Sequence, residues 1–519
     1  MTLPLRHQGR ALIVADVETM DGDRIVCRSR GTGPWRWAEM LEGAAQSAGL
    51  LAGSRPGGLP RRAVVAEYRD VAVRTDAWSG SLRFEATLER QLLRFWRCRI
   101  AVRSEDGRVL VDGRVTLAPA VEPSRADAQG LTTGGPPSHP DPHLYAVLAD
   151  AGLPDDLFNP RQHRSCELVE QYALALAIDV ARRLDLPARL ARPTTADELV
   201  ATAGFVPTFR HAARWLLDRL AVAGFVARDG VRYRLEAGLP FPDLATLRAE
   251  TLASDPTYAP AIALLDEAAS LYPAVARGEI SGEQALFRRA ALWFAYFSNQ
   301  NGYYALANRV AAHAAAARLT PGAAVLEVGA GPGSATEAFL ERVDELGRTG
   351  DVAGYRVTEP VPLFRRRAER TLGGRRAAPP LVFASLDVNE PWRDQGIPPR
   401  TFELVWGVNV FHLARDLDAT LRQARDALAP GGWLVVGEGV RPSPGHPVGA
   451  ELPFLLLESF VDVALDPATR ATPGFLAAEE WLAAFTRAGF SHAELVPDAI
   501  RIRALYPGFL AVAVCAQVR

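Results

Sequence analysis

The sequence predicts a multidomain α/β protein, and three observations support that fold class. Near residue 325 an apolar strand runs into three closely spaced glycines and then a helix, which is typical of a doubly wound parallel sheet. Residues 63–117 largely alternate between apolar and polar side chains, as the strands of an antiparallel sheet do. Amphipathic spacing between these two regions predicts a mainly helical segment.

Domain boundaries follow from length and composition. With 519 residues, 48% of them hydrophobic, the chain is long enough for three or four domains that each bury a core. Residues 121–143 are rich in proline, glycine and polar groups and are predicted to be a linker. The linker separates an N-terminal domain at 1–120 from a helical region at 144–280 and a C-terminal domain at 281–519.

Charge and cysteine content narrow the function classes. A net charge of −2 gives no electrostatic reason to expect nucleic acid or an anionic membrane as a partner. The four cysteines show neither pairing nor metal-ligand spacing, which predicts a reducing, cytoplasmic location and no metal site. Neither a signal peptide nor a membrane span is indicated. The chain contains arginine but no lysine, a bias that fits a GC-rich bacterial genome.

The N-terminal domain is predicted to be one helix wrapped by an antiparallel sheet. Helical spacing of apolar residues covers 35–52, with Trp37, Met40 and Leu41 on the apolar face. An Asp106-Gly107 turn joins the last two strands as a hairpin. The predicted strands are at residues 10–16, 24–27, 63–74, 81–88, 95–104 and 108–117.

Two motifs give this domain a family resemblance. With His7-Gln-Gly9 near its start and Glu42-Gly-Ala-Ala-Gln46 on its helix, it is similar to the dehydratase-like hot-dog proteins of fatty-acid, polyketide and aryl-polyene pathways. Glu42 and Gln46 lie one helical turn apart and share a face. In that family such a Glu works with a His from a Gly-His-Phe-Pro segment. That segment is absent here, residues 28–34 take its place, and His7 is the domain's only histidine.

The missing histidine leaves the activity of this domain open. Dehydration of a 3-hydroxyacyl thioester requires a base for the α-proton and an acid for the leaving hydroxyl. Either His7 supplies one of these groups, or a partner subunit does, or the site only binds. A non-catalytic acyl-binding or dimerising domain fits the sequence at least as well as catalysis does.

The central region has the order helix, turn, helix, hairpin, which predicts a winged helix. Helices are predicted at 166–184 and 209–224, Thr195 caps a third, and residues 225–235 form the hairpin. Four cationic residues on the second long helix would permit DNA binding: Arg210, His211, Arg214 and Arg219. We favour a dimerising or substrate-covering module, because the chain as a whole is not basic.

The C-terminal domain begins with a nucleotide cradle. Gly329, Gly331 and Gly333 permit a left-handed backbone and a close approach to a ligand. The helix that follows points its free N–H groups and the positive end of its dipole at that ligand. Glu327 within the strand, and the absence of G-x-G-x-x-G spacing, favour S-adenosylmethionine over a dinucleotide.

Further segments extend the α/β pattern. A second strand ends in Glu359, at the position from which a ribose diol is held in nucleotide-binding folds. A third strand ends in Asp387, which either contacts the adenine amine or only caps the following turn. A parallel sheet with the ligand at its carboxyl edge is completed by a strand and loop at 402–412, a helix at 417–428 and a strand at 433–438.

Together these motifs resemble the carbon-methyltransferase domains of reducing polyketide synthases over residues 280–519. The resemblance rests on the ordered segments Leu-Glu-Val-Gly-Ala-Gly-Pro-Gly, Leu386-Asp-Val-Asn-Glu-Pro391, Asn409-Val-Phe-His412, Arg415-Asp-Leu-Asp-Ala-Thr-Leu421, Leu428-Ala-Pro-Gly-Gly432 and Glu438. In that family a His and a Glu form a dyad that removes the α-proton of a β-ketoacyl thioester, which implies catalytic roles for His412 and Glu438. The resemblance also implies S-adenosylmethionine as cofactor, with eight binding residues: Glu327, Gly329, Gly331, Gly333, Glu359, Asp387, Val388 and Asn409. Glu359 stands where the family more usually has Asp.

The dyad suits the chemistry that the resemblance implies. An α-carbon between a ketone and a thioester is acidic enough for an imidazole to deprotonate, when a carboxylate fixes the tautomer and stabilises the imidazolium. Otherwise His412 is a structural or substrate-contacting loop histidine. Residues 283–316 contribute aromatic side chains that either roof the acceptor site or pack on the sheet: Trp293, Phe294, Tyr296, Phe297, Tyr303 and Tyr304.

The sequence therefore predicts a bacterial, cytoplasmic enzyme that methylates the α-carbon of a β-ketoacyl chain on an acyl carrier protein. Two alternatives stay open: oxygen methylation of a natural-product hydroxyl by way of His412, and a binding subunit whose hot-dog domain completes a partner's dehydratase site. The expected partners are the carrier-bound acyl chain, a ketosynthase or dehydratase subunit, and a second copy of the chain in a homodimer.

Overall fold

The chain divides into two compact units, Met1–Ser138 (unit 1) and His139–Arg519 (unit 2). The structure is a computed structural model that describes residues 13–54, 63–92, 95–119, 142–154, 157, 159–236, 238–373, 379–506 and 511–518. The predicted linker at 121–143 lies outside these ranges except for its last two residues, which begin a helix. Among the residues described, no helix is long and apolar enough to cross a membrane.

Unit 1 is one helix packed on a six-stranded antiparallel sheet with the strand order β1-β2-β6-β7-β8-β4. Two short strands, β3 and β5, pair separately. The elements are β1 Val14–Asp21, β2 Arg24–Ser29, β3 Trp35–Arg36, α1 Trp37–Gly53, β4 Ala63–Val73, β5 Ala77–Trp78, β6 Leu82–Leu92, β7 Phe95–Ser104 and β8 Val109–Pro119.

The core of unit 1 lies between α1 and the sheet. Met40, Ala44 and Ala48 recur at helical spacing and are fully buried. A Cβ atom at Gly43 would lie 2.5 Å from the ring of Phe84, so this glycine lets the helix approach the sheet. The predicted hairpin between β7 and β8 is confirmed, with Gly107 at φ +85° in the turn.

Several predicted boundaries in unit 1 are wrong, and the strand predicted at 81–88, for example, extends to Leu92. The first strand continues to Asp21 instead of ending at residue 16, because a turn with Gly22 at φ +49° joins it to β2. The helix begins at Trp37 instead of residue 35, because Trp35–Arg36 pairs with Ala77–Trp78. Trp37, predicted on the apolar face, is 45% exposed.

The N-terminal part of unit 2 is helical with one small sheet of order β10-β11-β9. Its predicted order of helix, helix and hairpin is present, and Thr195 caps α5: its Oγ1 accepts the N–H of Glu198 at 3.1 Å. The elements are α2 Pro142–Asp150, α3 Pro160–Arg183, α4 Leu186–Arg189, β9 Thr194–Thr195, α5 Ala196–Ala203, α6 Arg210–Val222, β10 Val226–Asp229, β11 Arg232–Leu235, α7 Leu244–Ser254, α8 Ala259–Ala276, α9 Gly282–Phe287, α10 Ala290–Tyr296 and α11 Gly302–Ala316.

Two of the four basic residues on α6, Arg219 and His211, do not present a positive charge to a DNA-binding surface. Arg219 is buried, and its Nη2 lies 2.6 Å from Oε2 of Glu170 on α3. Burial, together with the charges of Arg210 and Arg214, lowers the pKa of His211 to about 4, so this imidazole is neutral at neutral pH. The helix therefore serves packing within unit 2 more than it serves an exposed basic surface.

The C-terminal part of unit 2 is built on a large sheet with the order β14-β13-β12-β15-β16-β19-β18, in which β17 also pairs with β16. The strands from β12 to β16 run parallel, and β19 runs antiparallel to β16. The elements are β12 Ala323–Glu327, α12 Ser334–Glu345, β13 Val352–Thr358, α13 Pro362–Leu372, β14 Leu381–Ala384, β15 Phe402–Val408, α14 Leu417–Ala427, β16 Leu428–Arg441, α15 Glu458–Val461, β17 Leu476–Ala477, α16 Ala478–Arg487, β18 Glu494–Val496, α17 Ala499–Leu505 and β19 Ala511–Gln517.

Both faces of this sheet are covered, as predicted. Val325 and Leu326 are neighbours on β12 but belong to different buried clusters, because successive side chains of a strand point to opposite faces. The five predicted strands occur in the predicted order. The third ends at Ala384, which leaves Asp387 in a turn, and the fifth is longer than predicted at both ends. The strands β17, β18 and β19 were not predicted from the sequence.

Candidate active site

The predicted site residues of unit 2 gather at the carboxyl ends of the parallel strands. Glu327 ends β12, Glu359 follows β13, Asn409 follows β15 and Glu438 lies near the end of β16. The strand order reverses at β12, since β13 pairs on one side of it and β15 on the other. In open α/β sheets a ligand binds at such a reversal point.

The glycine turn after β12 has two different roles. All three glycines adopt the left-handed backbone, with φ of +66° at Gly329, +56° at Gly331 and +97° at Gly333. A Cβ atom on Gly329 would lie 2.3 Å from Cγ2 of Val410, so Gly329 is required for packing. A Cβ atom on Gly331 would meet no described atom within 4 Å. Gly331 therefore borders open space, as a ligand contact requires.

Glu327 is a fully buried carboxylate beside this turn. Its Oε2 accepts hydrogen bonds from Tyr355 Oη at 2.5 Å and from Thr336 Oγ1 at 2.8 Å. Its Oε1 has no partner among the residues that the structure describes. Burial raises the pKa of Glu327 to about 7. A buried acceptor without a donor is costly, and a cationic or N–H-bearing ligand would satisfy it.

Glu359 closes over the glycine turn from the neighbouring strand. Its Oε2 accepts the N–H of Gly331 at 2.9 Å, and its Oε1 accepts the N–H of Val361 at 2.9 Å. Burial raises the pKa of Glu359 above its usual value. The residue predicted to hold a ribose is therefore in contact with the cradle itself.

Asp387 and Val388 lie on the turn after β14. Oδ1 of Asp387 accepts the N–H of Asn389 at 2.9 Å, which is the turn-capping role that the sequence left open. The Asp387 side chain is exposed. Val388 is buried, and its carbonyl accepts a hydrogen bond from Thr420 Oγ1 at 3.1 Å. The structure brings Asp387 into no hydrogen bond with the glycine turn.

Asn409 redirects the chain at the end of β15. Its φ of +52° is a left-handed conformation that Asn tolerates better than most residues. Its N–H donates to the carbonyl of Gly437 at 2.8 Å, and its Oδ1 accepts the N–H of Gly439 at 2.9 Å. These two bonds tie the turn after β15 to β16, on both sides of Glu438.

His412 and Glu438 form the pair that the sequence predicted. The distance between Nδ1 of His412 and Oε2 of Glu438 is 2.6 Å, and both side chains are buried. The other carboxylate oxygen, Oε1, accepts the N–H groups of Phe411 at 3.1 Å and of His412 at 3.3 Å. Glu438 therefore fixes both the ring and the backbone turn that carries it.

The carboxylate also selects the tautomer of His412. An ionised carboxylate only accepts hydrogen bonds, so the proton of a neutral ring resides on Nδ1 and the lone pair on Nε2. Nε2 makes no hydrogen bond to the part of the chain that the structure describes. The rings of Phe475 and Phe460 lie 4.8 and 5.7 Å from the imidazole, centroid to centroid, and limit the access of water.

Arg470 is a site residue that sequence reasoning missed. It is buried, and its guanidinium donates to the carbonyl of His412 and, at 3.0 Å, to the carbonyl of Ala414. Burial and the nearby Arg441 lower its pKa to about 10, so it remains a cation at neutral pH. Arg470 lies in an irregular segment and stabilises the turn that carries His412. Its separation of 58 residues from His412 leaves no sequence signal for this contact.

The aromatic residues of the lead-in mostly pack in the core, and one of them reaches the cradle. Trp293 and Tyr296 are buried and contact Phe454, whose ring stacks on Phe460 at 5.5 Å. Burial raises the pKa of Tyr304, and Asn409 at the end of β15 and Ser334 at the start of α12 lie near its hydroxyl and act in the opposite direction. Most of the aromatic residues that were predicted either to roof the acceptor site or to pack on the sheet therefore lie in the core. Their rings are in continuous contact with the rings around His412.

A buried ion pair supports the segment that carries these rings. Nη2 of Arg441 lies 2.6 Å from Oε1 of Glu451, and neither side chain is exposed. Trp215 of α6 donates its indole N–H to Oε2 of Glu451 at 3.1 Å. The N–H of Phe475 also donates to Glu451 Oε1, at 3.2 Å. The helical region thus helps to hold the chain that packs on His412.

Comparison with known proteins shows a family model that matches part of this sheet. Residues 326–434 match the family model described as "Methyltransferase domain". The chain carries a methyltransferase domain. It is therefore an enzyme, and the cofactor of this domain is S-adenosylmethionine.

Two relatives are polyketide synthases. The chain is 31% identical over 175 residues to the reducing polyketide synthase Preu2 of Preussia isomera, a segment that makes up 34% of this chain and 7% of that protein. It is 40% identical over 134 residues to the polyketide synthase ThaG of Burkholderia thailandensis, which is 26% of this chain and 2% of that protein. The matched segment is thus a small part of each synthase.

Solved structures show the fold of the methyltransferase part. The CurJ carbon methyltransferase superposes with a TM-score of 0.59 at 22% identity, over 73% of this chain and 96% of that one. The DszA carbon methyltransferase gives 0.56 at 22% identity, over 77% and 98%. The carbon-methyltransferase domain of the citrinin polyketide synthase gives 0.54 at 17% identity, over 72% and 93%.

The residues of the methyltransferase domain fit S-adenosylmethionine. The cofactor carries two cationic centres, and the edge of the sheet offers the unpartnered Oε1 of Glu327 and a second buried carboxylate, Glu359. Gly331 leaves the space above the turn free of side-chain atoms. α12 begins at Ser334, directly after the turn, and no described side chain caps it; the N-terminus of a helix favours an anionic group such as the carboxylate of the cofactor.

Two of the three candidate residues of unit 1, Glu42 and Gln46, are in contact, and Gln46 also bonds to the backbone of the chain that leads into β1. Oε1 of Gln46 accepts the N–H groups of Ile13 at 3.1 Å and Val14 at 3.3 Å, and its Nε2 donates to Oε1 of Glu42 at 3.1 Å. Gln46 is buried. His7 lies outside the described residues. The amide of Gln46 therefore holds the start of β1 against α1.

Proposed function

We propose that the chain transfers the methyl group of S-adenosylmethionine to the α-carbon of a β-ketoacyl thioester carried on an acyl carrier protein. The observation that carries this proposal is the 2.6 Å contact between the buried side chains of His412 and Glu438, at the sheet edge where the cofactor cradle lies. Such a pair would also deprotonate a hydroxyl, so the preference for carbon rests on the carbon methyltransferases whose fold this part of the chain resembles. Transfer to carbon requires removal of a C–H proton, and a buried, oriented imidazole provides for that.

The proposed reaction breaks one C–H bond and one S–CH3 bond and forms one C–C bond. Nε2 of His412 accepts the α-proton, and the electron pair of that bond becomes the enolate that forms the new bond to the methyl carbon. When bound, S-adenosylmethionine supplies an electrophilic methyl group on a sulfonium and is released as the neutral thioether. The proton leaves His412 for solvent after turnover, so charge and atoms balance without a further reactant.

Glu438 and Arg470 have positioning roles in this mechanism. Glu438 holds the proton of the neutral ring on Nδ1 and stabilises the imidazolium that forms when Nε2 is protonated. Arg470 holds the carbonyl groups of His412 and Ala414, which keeps the turn in place while the ring changes charge. The rings of Phe460 and Phe475 keep water from competing for the proton.

The relatives support the substrate class. Both matched proteins named above are polyketide synthases, and the folds with TM-scores of 0.54 to 0.59 belong to carbon methyltransferases. A β-ketoacyl thioester on a carrier protein is the substrate on which a carbon methyltransferase of this kind would act. A bacterial source, a cytoplasmic location and a homodimer stay predictions from the sequence.

The test is to locate the transferred methyl group. The full chain is incubated with S-adenosylmethionine labelled with ¹³C in the methyl group and with an acetoacetyl carrier protein, and the product is read by carbon NMR and intact-protein mass spectrometry. We expect a single methyl bonded to carbon at the α-position. A 2,2-dimethylacetoacetyl carrier protein is the matched control, because it lacks the α-proton and should stay unmodified.

The same experiment decides the alternative of oxygen methylation. A label that appears as a methoxy carbon, or transfer to the dimethylated control, would contradict deprotonation at carbon. His412 would then act on a hydroxyl, as the second interpretation of the sequence has it. Absence of the label from every thioester offered would count against the acyl substrate class.

For unit 1 we propose a non-catalytic hot-dog domain that binds an acyl chain or dimerises. The single helix on an antiparallel sheet is compatible with that fold. The hydrogen bonds of Gln46 to the backbone of β1 favour a structural use of the Glu42-Gln46 face. We further propose the division of the chain at 1–120, 144–280 and 281–519 into hot-dog, winged-helix and methyltransferase parts.

A further inference from the structure

Helix α13 carries an exposed set of arginines that make no ion pair with a carboxylate among the described residues. Arg366 and Arg370 lie four residues apart and point away from the buried face formed by Phe364, Ala368 and Leu372. Neither arginine makes an ion pair with any carboxylate in the described part of the chain. Other exposed helical arginines of unit 2 differ in this respect: Arg487 pairs with Asp418 at 2.7 Å, whereas Arg422 on α14 makes no ion pair among the described residues.

This arrangement works against the stability of the helix. Like charges at positions i and i+4 repel each other, and cations in the N-terminal half of a helix oppose its dipole. α13 has both features, since Arg365, Arg366 and Arg367 fall in its first two turns. A chain with a net charge of −2 has no general excess of cations that would place them here by chance. The cluster is therefore better explained by a partner than by folding.

The position of α13 connects it with the candidate active site. The helix begins three residues after Glu359 of the cofactor cradle, and Nη1 of Arg365 donates to the Glu359 carbonyl at 2.7 Å. On its buried face, the ring of Phe364 lies 6.0 Å from the ring of Phe297. Phe297 stacks on Trp293 at 5.4 Å. From Trp293, contacts through Phe454 and Phe460 lead to His412.

We infer that the exposed face of α13, formed by Leu363, Arg366, Arg367 and Arg370, docks an acidic acyl carrier protein. This inference rests on the proposed function. A carrier protein presents its thioester on a phosphodiester-linked arm, so it brings anionic groups to the entrance of any site it serves. Guanidinium groups pair well with carboxylates and phosphates. Leu363 is half-exposed on the same face and supplies apolar contact.

The interaction is tested by reversing two charges. In the full chain, Arg366→Glu is combined with Arg370→Glu; neither residue belongs to the cradle or to the His412 pair. The matched control combines Arg393→Glu with Arg422→Glu, two exposed arginines that likewise lack a carboxylate partner among the described residues. KM and kcat are measured with acetoacetyl carrier protein and with the small thioester acetoacetyl-N-acetylcysteamine. Direct binding of fluorescently labelled holo-carrier protein is measured by anisotropy.

We expect the α13 variant to raise KM for the carrier-bound substrate and Kd for the holo-carrier by about 10-fold, because charge reversal replaces attraction by repulsion. Its kcat and its kinetics with the small thioester should match those of the control. The wild-type Kd should also weaken with added salt, and that of the variant should change much less.

Three results would overturn the docking assignment. The first is equal carrier affinity in the α13 variant and the control. The second is a parallel loss with the carrier and with the small thioester, which would make α13 part of the site itself. The third is a variant that loses affinity for a labelled oligonucleotide and keeps affinity for the carrier. Failure of the wild type to methylate either thioester would instead contradict the proposed function, and the anisotropy measurement would still decide the docking surface.

Discussion

Unit 1 and unit 2 each contain a glutamate beside a polar residue that the sequence marks as a candidate for acid–base chemistry, and the two pairs differ in what their hydrogen bonds do. In unit 2, Glu438 is fully buried and orients an imidazole whose Nε2 stays available. In unit 1, Gln46 uses its carbonyl to hold the backbone at Ile13 and Val14. The first pair positions a reactive atom, whereas the second fastens a strand to a helix.

A candidate catalytic pair therefore differs from a structural pair in having an unused functional atom next to open space. Around His412, the carboxylate, Arg470 and two aromatic rings fix every part of the residue except Nε2. Beside it, Gly331 leaves room for a ligand. Residues whose polar atoms are hydrogen-bonded within the fold, as those of Gln46 are, can still contribute to stability. We therefore expect substitutions at the candidate site of unit 2 to change cofactor affinity or the rate of methyl transfer. Substitutions of Glu42 and Gln46 in unit 1 should leave both unchanged.

The largest effect is expected from filling the cradle of unit 2. Gly331→Val places a side chain in space that holds no described atom within 4 Å, so it should abolish S-adenosylmethionine binding without a steric clash in the protein. The left-handed φ of +56° adds a strain of about 1–2 kcal/mol. Isothermal calorimetry measures the cofactor affinity, and a thermal melt measures the fold.

The control for this change is Gly347→Val. Gly347 follows α12 and has φ +64°, and a Cβ atom on it would likewise meet no described atom within 4 Å. The substitution therefore introduces the same backbone strain away from the cradle. It should lose a similar amount of stability and keep the cofactor. Unchanged cofactor affinity in a folded Gly331→Val protein would contradict the assignment of the glycine turn as the cofactor cradle.

The next largest effect is expected from the pair itself. His412→Ala should lower kcat for methyl transfer by roughly 10²-fold or more, the usual scale for a general base, while cofactor affinity barely changes. Glu438→Gln should act in the same direction, because it no longer stabilises the imidazolium. The double variant should be little worse than either single variant, since the two residues act as a unit. Single-turnover rates and calorimetry provide the measurements, and additive losses would show that the pair does not act together.

A smaller effect, with a defined pH dependence, is expected from Glu327. Its pKa of about 7 in the folded protein lies above the ordinary value of 4.5, so the folded state binds the extra proton between these values. Stability from this group is complete below about pH 4.5 and is lost as pH rises through 7. Glu327→Gln keeps an acceptor for Tyr355 and Thr336 and has no proton to lose. Relative to wild type, it should gain on the order of 2–3 kcal/mol in unfolding free energy between pH 5 and pH 8.

The pH dependence of S-adenosylmethionine affinity tests the protonation of the same carboxylate, Glu327. A cationic cofactor favours ionised Glu327, so the wild-type affinity for S-adenosylmethionine should rise with pH through 7, and that of the Gln variant should stay flat. Glu345→Gln, at an exposed position on α12, is the control and should reproduce the wild-type pH profile. Parallel profiles for wild type and Glu327→Gln would mean that the free oxygen of Glu327 does not face the cofactor.

Most candidate residues of unit 2 could be predicted to lie near one another, because parallel strands bring distant residues to one edge of the sheet. Gly331 and Glu359, or His412 and Glu438, meet wherever successive strands end, and strand ends are visible as apolar runs followed by turn residues. Arg470 could not be found in this way, since it lies in an irregular segment and contacts carbonyl groups, which any donor can do. The C-terminal strands were missed for a related reason: β18 has only three residues, and β19 is apolar on both faces.

The smallest effect is expected in unit 1, where Glu42→Gln should leave the rate of methyl transfer unchanged. The wild-type chain should convert 3-hydroxybutyryl carrier protein to its enoyl product slowly or not at all, because the Gly-His-Phe-Pro segment of active hot-dog dehydratases is absent. Gln46→Leu is the informative companion: it removes the acceptor for the N–H groups of Ile13 and Val14 and should lower the stability of unit 1 by about 1–3 kcal/mol, again without a change in methyl transfer. Enoyl formation is followed by ultraviolet absorbance, and stability by denaturant titration. Dehydration at an ordinary enzymatic rate that disappears in Glu42→Gln would make the two units alike, and the enzyme would then be bifunctional.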